Sequence, residues 1–268
     1  MSAPVFLVDQ GALADCAPGS RYLLQGPEAR HAAVVQRRTV GERVDLADGH
    51  GTRLRCTIAA VAPQAVELDV LQRLDEPAPG VRLVLVQALA KGDRDELAIE
   101  AATEVGVDAV IPWQATRSVV VWRGERAAKS RGKWLSTVRE AAKQARRAAV
   151  PAVAAVVDGR GLVGLVRATV DRGGVALVLH EEAERALASV RLPNPPADAV
   201  DAPDAPDVLV VVGPEGGISP EELAALSGAG AVAVRLGPHV LRTSTAGPVA
   251  VALLAERLGR WAVPLGEG

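Results

Sequence analysis

The residues best suited to chemistry lie in two short glycine-rich stretches. Residues 210–219 read Val-Val-Val-Gly-Pro-Glu-Gly-Gly-Ile-Ser, and residues 236–247 read Leu-Gly-Pro-His-Val-Leu-Arg-Thr-Ser-Thr-Ala-Gly. Each follows an apolar, strand-like run and leads into a helix. Two glycine loops at neighbouring strand ends form a crevice where bare main chain can approach a flat ligand. Gly213, Gly216 and Gly217 remove side chains from the first loop, while Leu236 and Leu241 can wall the second. Arg242 is the candidate active-site cation: it either stabilises negative charge growing on a substrate or braces its loop through backbone carbonyls. Glu215, the only carboxylate in the two motifs, either caps the amides that follow it or acts as a base. Of the four His, His180 and His239 fall near these motifs, and neither is singled out as an acid or base.

These loops need a scaffold, and the chain supplies one by a change of period. Over roughly the first 76 residues short alternating runs dominate. Residues 43–47 and 54–61 flank the turn Asp48-Gly49-His50-Gly51, a hairpin pattern, and residues 65–71 alternate again. One helix is expected near residues 28–36, and residues 76–80, Glu-Pro-Ala-Pro-Gly, read as a linker. From Val81 onward predominantly apolar runs take over, at 81–85 (interrupted by Arg82), 109–111, 153–157, 175–179, 208–212 and 231–236 (interrupted by Arg235). Such runs are typical of strands buried on both faces. Helical stretches separate them, at about 95–105, 127–148 and 162–170. A further helix starts at Ser219, with Pro220 at its first position and Glu222 to complete a capping box. Arg242 and the Thr-Ser-Thr run lead into a last helix whose body spans 248–258. Alternating strands and helices imply a mainly parallel sheet covered on both faces. Residues 191–207, rich in Pro, Ala and Asp, read as a loose surface loop.

Composition narrows the class. Of 268 residues 49% are hydrophobic and only 2% aromatic, so the core must be built from Ala, Val and Leu. No run reaches the ~18 apolar residues of a membrane span, and the N-terminal stretch lacks the basic flank of a signal peptide. A soluble cytoplasmic protein is expected. The two cysteines, Cys16 and Cys56, form no Cys-x-x-Cys, so no metal site is expected. The net charge of −2 hides a basic block: residues 113–150 hold ten Lys or Arg against two Glu. Such a block is either the footprint of a polyanion partner or a solvated helix face. Trp113, Trp122 and Trp134 fall in the same segment, as base-stacking platforms or as core anchors.

The paired motifs resemble the SPOUT methyltransferases and, within them, the ribosomal RNA small-subunit methyltransferase E family. The likeness extends through Lys91-Gly92-Asp93-Arg94, Glu104-Val105-Gly106-Val107, Pro112, Arg117-Ser118, Glu140 with Gln144 and Arg147, and Val150-Pro151. Two positions depart from the family pattern: Ser244 and Lys143 stand where that family commonly has Glu. The resemblance implies an α/β chain of two domains. Residues 1–76 would form a PUA-like RNA-binding β-barrel, and residues 77–268 a SPOUT domain whose parallel sheet carries a trefoil knot. It implies S-adenosylmethionine as cofactor, held by Leu179, His180, Gly213, Glu215, Gly216, Leu236, Gly237, Val240, Leu241, Thr243 and Ala246, with Arg242 catalytic. It implies methylation of N3 of a uridine in 16S rRNA of the small ribosomal subunit, and a homodimer that needs neither membrane nor metal. Candidate RNA contacts are Arg37 and Arg38 on the barrel, with Lys91, Arg94, Arg117, Arg139, Lys143 and Arg147 beyond it.

Three other readings compete. One is a SPOUT enzyme acting at another rRNA or tRNA position, such as a ribose 2′-oxygen. Another is an RNA-binding protein without turnover, for which two glycine loops would be superfluous. A nucleotide-binding dehydrogenase is the third, and it lacks a Gly-x-Gly-x-x-Gly after an early strand.

Overall fold

Alternation and turn chemistry build the first of two units. In this computed structural model, which describes residues 3–194 and 205–262, Met1–Ala78 and Arg139–Val150 cluster as one unit, and Pro79–Val138 with Pro151–Gly268 as the other. The first unit contains β1 (Val5–Leu7), β2 (Arg21–Gln25), β3 (Arg43–Ala47), β4 (Thr52–Ala62) and β5 (Ala65–Asp75), in the sheet order β1-β3-β4-β5-β2. The turn between β3 and β4 is held by Asp48, whose Oδ1 accepts from the amides of His50 at 2.8 Å and Thr52 at 3.1 Å. Leu54, Cys56 and Ile58 of β4 face inward with Val66, Leu68 and Val70 of β5, around the chain's one phenylalanine, Phe6. Register shifts at Arg55/Cys56 and Ile58/Ala60 curl this sheet. In place of one long helix, a short α1 (Gly26–Arg30) continues into a π-helical turn, His31–Val35. β2 has no counterpart in the sequence pattern because only Leu24 of its five residues is buried.

The second unit holds a six-stranded sheet of β6 (Arg82–Ala88), β7 (Ala109–Trp113), β8 (Ala152–Val153), β9 (Val175–Leu179), β10 (Asp207–Val212) and β11 (Val232–Val234). All neighbours are parallel, in the order β11-β9-β10-β6-β7-β8. The helices are α2 (Arg94–Glu104), α3 (Gly124–Gln144), α4 (Gly159–Asp171), α5 (Pro220–Gly228) and α6 (Thr243–Arg257). Leu162 and Val166 of α4 and Leu226 of α5 pack with Val84, Val86, Val178 and Val211 in one buried cluster. α6 lies directly on β6: a Cβ added at Gly247 would come within 2.9 Å of Leu85 Cδ1, so only glycine fits there. The capping box at α5 is formed, with Glu222 N donating to Ser219 Oγ at 3.2 Å and Ser219 N donating to Glu222 Oε2 at 3.1 Å.

Three differences from the sequence expectation have plain causes. α3 stops at Gln144, not near 148, and Arg146 takes φ +56°, a left-handed conformation that ends a helix. The last helix begins earlier, at Thr243, because Pro248 keeps a helical φ and removes only one internal hydrogen bond. The strand expected over 153–157 shrinks to Ala152–Val153. The loose loop expected at 191–207 falls, for residues 195–204, outside the described residues. The three tryptophans are buried, with Trp122 and Trp134 edge to face at 5.3 Å. Both cysteines are free; burial first, then the charges of Asp45 and Cys16, push the Cys56 thiol up to about 12. Among the described residues, no helix is long and apolar enough to cross a membrane.

Candidate functional site

The carboxyl ends of β9, β10 and β11 open into one cleft of about 520 Å³, the size of a nucleoside-bearing ligand. Three segments wall it, with Arg94 at the start of α2 beside them. Leu179, His180 and Glu181 leave β9; Val212 to Glu215, with Gly217 and Ile218, leave β10; Val234, Arg235, Leu236 and His239 to Thr243 lie between β11 and α6, with Ala246 behind them. The first glycine loop is compressed: a Cβ on Gly213 would come within 2.7 Å of Ile218 Cγ1, and Gly217 has φ +73°. Both positions therefore demand glycine.

The second loop carries the recognition capacity. Among the described residues, the main-chain amides of Leu236, Gly237 and His239 through Arg242 donate to no other protein group. Leu236, Val240 and Leu241 set apolar side chains beside these donors in the cleft. A flat heterocycle with polar edges fits that combination: apolar faces for the ring, unused N–H groups for its rim.

Arg242 stands at the N-cap of α6. Its carbonyl accepts from the amides of Thr245 at 2.8 Å and Ala246 at 2.9 Å, while its side chain makes no cap bond. Among the described residues, its guanidinium has no hydrogen-bond or ion-pair partner, so the bracing role is not seen. A cation at the positive end of a helix is electrostatically unfavourable unless negative charge comes to it. Arg242 therefore suits an electron-rich group in the cleft.

Glu215 is committed elsewhere. Its Oε1 accepts from Arg94 Nη1 at 2.8 Å and from the Lys91 amide at 3.1 Å. Burial pushes its carboxyl up, but hydrogen bonds from its own amide, Arg94 and the Lys91 amide outweigh this and hold it below the usual glutamate range. A carboxylate so held is a weak proton acceptor and a good latch between the loop after β6 and the loop after β10. Because its pKa is lowered, the latch is intact at neutral pH and is lost only as pH falls through the depressed value. Gly92 (φ +67°) and Asp93 (φ +58°) make the tight turn that presents the Lys91 amide and Arg94 to Glu215.

Of the cofactor residues expected from sequence, nine line the cleft: Leu179, His180, Gly213, Glu215, Leu236, Val240, Leu241, Thr243 and Ala246. Two do not. Gly237 faces open space, and a Cβ on Gly216 would meet Arg117 Cβ at 3.3 Å, because Arg117 Nη1 donates to the Gly216 carbonyl at 3.0 Å. At Gly216 the side-chain position is crowded by Arg117. Arg235, Glu181 and Ile218 also line the cleft; adjacency to a motif is the only signal of them in the sequence.

The basic block divides sharply. The stripe expected along Arg139, Lys143 and Arg147 is not a free surface. The Lys143 side chain is 7% exposed and pairs with Glu28 at 2.9 Å. Arg139 donates to the Leu7 carbonyl at 3.1 Å, and Arg147, past the end of α3, is half-buried and already engaged within the protein. Arg131 holds the Val153 carbonyl at 2.6 Å, and Lys133 pairs with Glu96 at 2.6 Å. Arg123, Arg126 and Lys129 are exposed and, among the described residues, carry no ion pair. In the first unit Arg37 is exposed with φ +52°, and Arg38 pairs with Glu42 at 3.0 Å. Replacing Lys143 with Ala should therefore act on stability: it strands Glu28, whose Oε2 already lacks a partner, and losing one member of a buried pair costs ~3–5 kcal/mol. Urea unfolding of the variant checks this; a wild-type midpoint with weakened RNA binding would restore Lys143 to the RNA surface. Among the described residues, no group of three or more His, Cys, Asp or Glu is placed to hold a metal ion.

Comparison with known proteins bears on this cleft. Residues 76–255 match the family model described as an RNA methyltransferase domain. The chain is 44% identical over 261 residues to the ribosomal RNA small subunit methyltransferase E of Mycobacterium tuberculosis, covering 97% of this chain and 94% of that one. It is 29% identical over 230 residues to the Bacillus subtilis protein of the same name, covering 84% and 86%. Among solved structures it is similar to a ribosomal RNA small subunit methyltransferase E from Neisseria gonorrhoeae bound to S-adenosyl methionine, with a TM-score of 0.80, 26% identity, and coverage of 96% and 98%. A Legionella pneumophila methyltransferase in complex with bound SAM gives a TM-score of 0.77 at 26% identity, covering 96% and 98%.

Proposed function

The chain belongs to the ribosomal RNA small subunit methyltransferase E family, and on that premise we propose that it methylates N3 of a specific uridine in 16S rRNA, using S-adenosylmethionine, in the cytoplasm. The observation that carries the reading is the cleft itself: amides of Leu236, Gly237 and His239 to Arg242 that donate to no group among the described residues, beside apolar side chains, closed by Gly213 and open to Arg242, which has no partner among those residues. The donor set fits the cofactor. Leu236, Leu241 and the intervening amides would hold its adenine, and His180, Glu181 and the Gly213–Gly217 side would take the polar remainder. The cofactor supplies an electrophilic methyl group on a sulfonium. What remains for the chain is to place the acceptor nitrogen in line and to favour the deprotonated imide. Arg242 stabilises the negative charge spread over the uracil carbonyls, and Glu215 latches two loops in place of acting as base.

The finer architecture follows the same reading. Residues 1–76 serve as a PUA-like barrel for RNA, and residues 77–268 as a SPOUT domain with a trefoil knot. The enzyme acts as a homodimer: Leu97 of α2 and Leu253 of α6 stand 55% and 46% exposed on two helices that pack together, apolar surface that a second copy would cover. Sedimentation equilibrium at micromolar concentration should return twice the chain mass; a monomer would refute the dimer.

RNA docks on Arg123, Arg126 and Lys129, cations with no ion pair among the described residues, with Arg117 beside Gly216. Arg126→Glu with Lys129→Glu should weaken binding to small-subunit RNA and flatten the slope of log affinity against log salt by ~0.7 for each phosphate left without its cation. Cofactor affinity should not change. An unaltered slope would place recognition on the barrel. Mass mapping of rRNA from a deletion strain, with and without the restored gene, tests the function in the cell: the restored gene should return one methyluridine, and a methylation pattern indifferent to the gene would sink the proposal.

A further inference from the structure

We propose that Gln87 and Thr243 are positioning residues of the methyl-transfer site: a buried hydrogen-bond relay through them sets the separation of the two glycine-loop walls. The inference rests on reading the cleft as the cofactor site. Gln87 is fully buried near the end of β6, after the apolar run 83–86, in register with Val212 of β10, the residue before Gly213. Its Nε2 donates to Thr243 Oγ1 at 3.1 Å, and Thr243 Oγ1 donates to the Gly213 carbonyl at 2.7 Å. The threonine hydroxyl is thus spent on the protein, as acceptor once and donor once, although Thr243 lines the cleft. Gly213 opens one wall and Thr243 closes the other. Their strands, β10 and β11, are not neighbours in the sheet. Among the described residues, this is the one hydrogen bond joining loop 213–218 to segment 236–243.

An ordinary buried polar group would be expected to satisfy both ends. Gln87 does not: its Oε1 has no donor among the described residues. A leucine would fill the same space without a stranded acceptor, so what the glutamine contributes is its Nε2 bond. The side chain also has no freedom to turn away, since α6 presses on it; a Cβ at Gly247 would lie 3.4 Å from Gln87 Oε1. Displacement chemistry is sensitive to such a device, because a misplacement of about 1 Å can cost ~10²-fold in rate.

The test uses Thr243→Val, which keeps the shape and removes the hydroxyl, Thr243→Ser, which restores it, Gln87→Met, and the Val/Met double variant. Cofactor affinity by calorimetry, kcat, KM for RNA and melting temperature are read on each. Thr243→Val and Gln87→Met should each lower kcat by ~10-fold or more, with KM for RNA unchanged and folding retained. Thr243→Ser should recover most of the turnover, and the double variant should be no worse than the poorer single, since both break one relay. Wild-type turnover in Thr243→Val, no rescue by serine, or losses in the double variant that multiply would overturn the relay. Failure of the unmodified protein to bind S-adenosylmethionine would overturn the cleft assignment as well, so the two failures are distinguishable.

Discussion

Replacing Gly213 with Val should reduce S-adenosylmethionine binding by ~100-fold, since overpacking a filled site costs up to ~3 kcal/mol, the largest effect on cofactor affinity expected of any single substitution in the cleft. The first added carbon would sit 2.7 Å from Ile218 Cγ1 and 3.4 Å from the Ile218 amide. Carbon atoms at optimal separation lie ~3.5–4.0 Å apart, so the loop must open, and Ile218 belongs to the packed cluster beneath the sheet. The Gly213 carbonyl would move with it and lose the Thr243 hydroxyl. Calorimetry on the folded variant decides the matter; wild-type affinity would mean that the ligand does not depend on this wall. Gly216 makes the contrast. It faces Arg117, outside the cleft lining, so Gly216→Ala should disturb Arg117 and reduce cofactor affinity far less.

Arg242→Ala should separate chemistry from binding. The guanidinium has no partner among the described residues, lines the cleft, and sits where the α6 dipole opposes a cation. Removing it relieves that opposition and costs the fold little, but on the proposed reading it removes the charge that would meet the developing anion of the acceptor base. Loss of one preorganised stabilising group typically costs 10²–10³-fold in kcat, about 2.7–4 kcal/mol. Single-turnover rates should fall by that factor while the Kd for S-adenosylmethionine moves less than ~3-fold. Parallel losses in rate and cofactor affinity would instead make Arg242 a binding residue.

Much of this is legible in the chain, for identifiable reasons. Residues 83–86, 175–179 and 208–212 are legible as buried strands because a strand covered on both faces is apolar along its covered length. Ser219, Pro220 and Glu222 announce a helix start because each satisfies or avoids an orphan amide. The first glycine loop is legible because crowding at Gly213 and the positive φ of Gly217 favour glycine there. What escapes is whatever depends on neighbours distant in sequence. Ten cations in one segment do not reveal that Lys143 is buried against Glu28, that Arg131 holds a carbonyl, or that Arg126 and Lys129 are exposed with no ion pair among the described residues. Glycine at 216 does not say whether a ligand or Arg117 stands beside it. β2, with a single buried residue, leaves no period to detect. Gln87 does leave a signal, a lone amide in the run Leu-Val-Leu-Val-Gln-Ala, and its partner Thr243 lies 156 residues away.

The central claim, transfer of a methyl group to N3 of a uridine, is most directly tested with purified protein, isotopically labelled S-adenosylmethionine and either small ribosomal subunits or free 16S rRNA. The RNA is digested to nucleosides, and the label is assigned by mass spectrometry against 3-methyluridine and 2′-O-methyluridine standards. Label is expected in 3-methyluridine alone, at a single site, and is expected to vanish with Arg242→Ala. Label in the ribose-methylated nucleoside, or cofactor binding with no transfer to either substrate, would contradict the assignment.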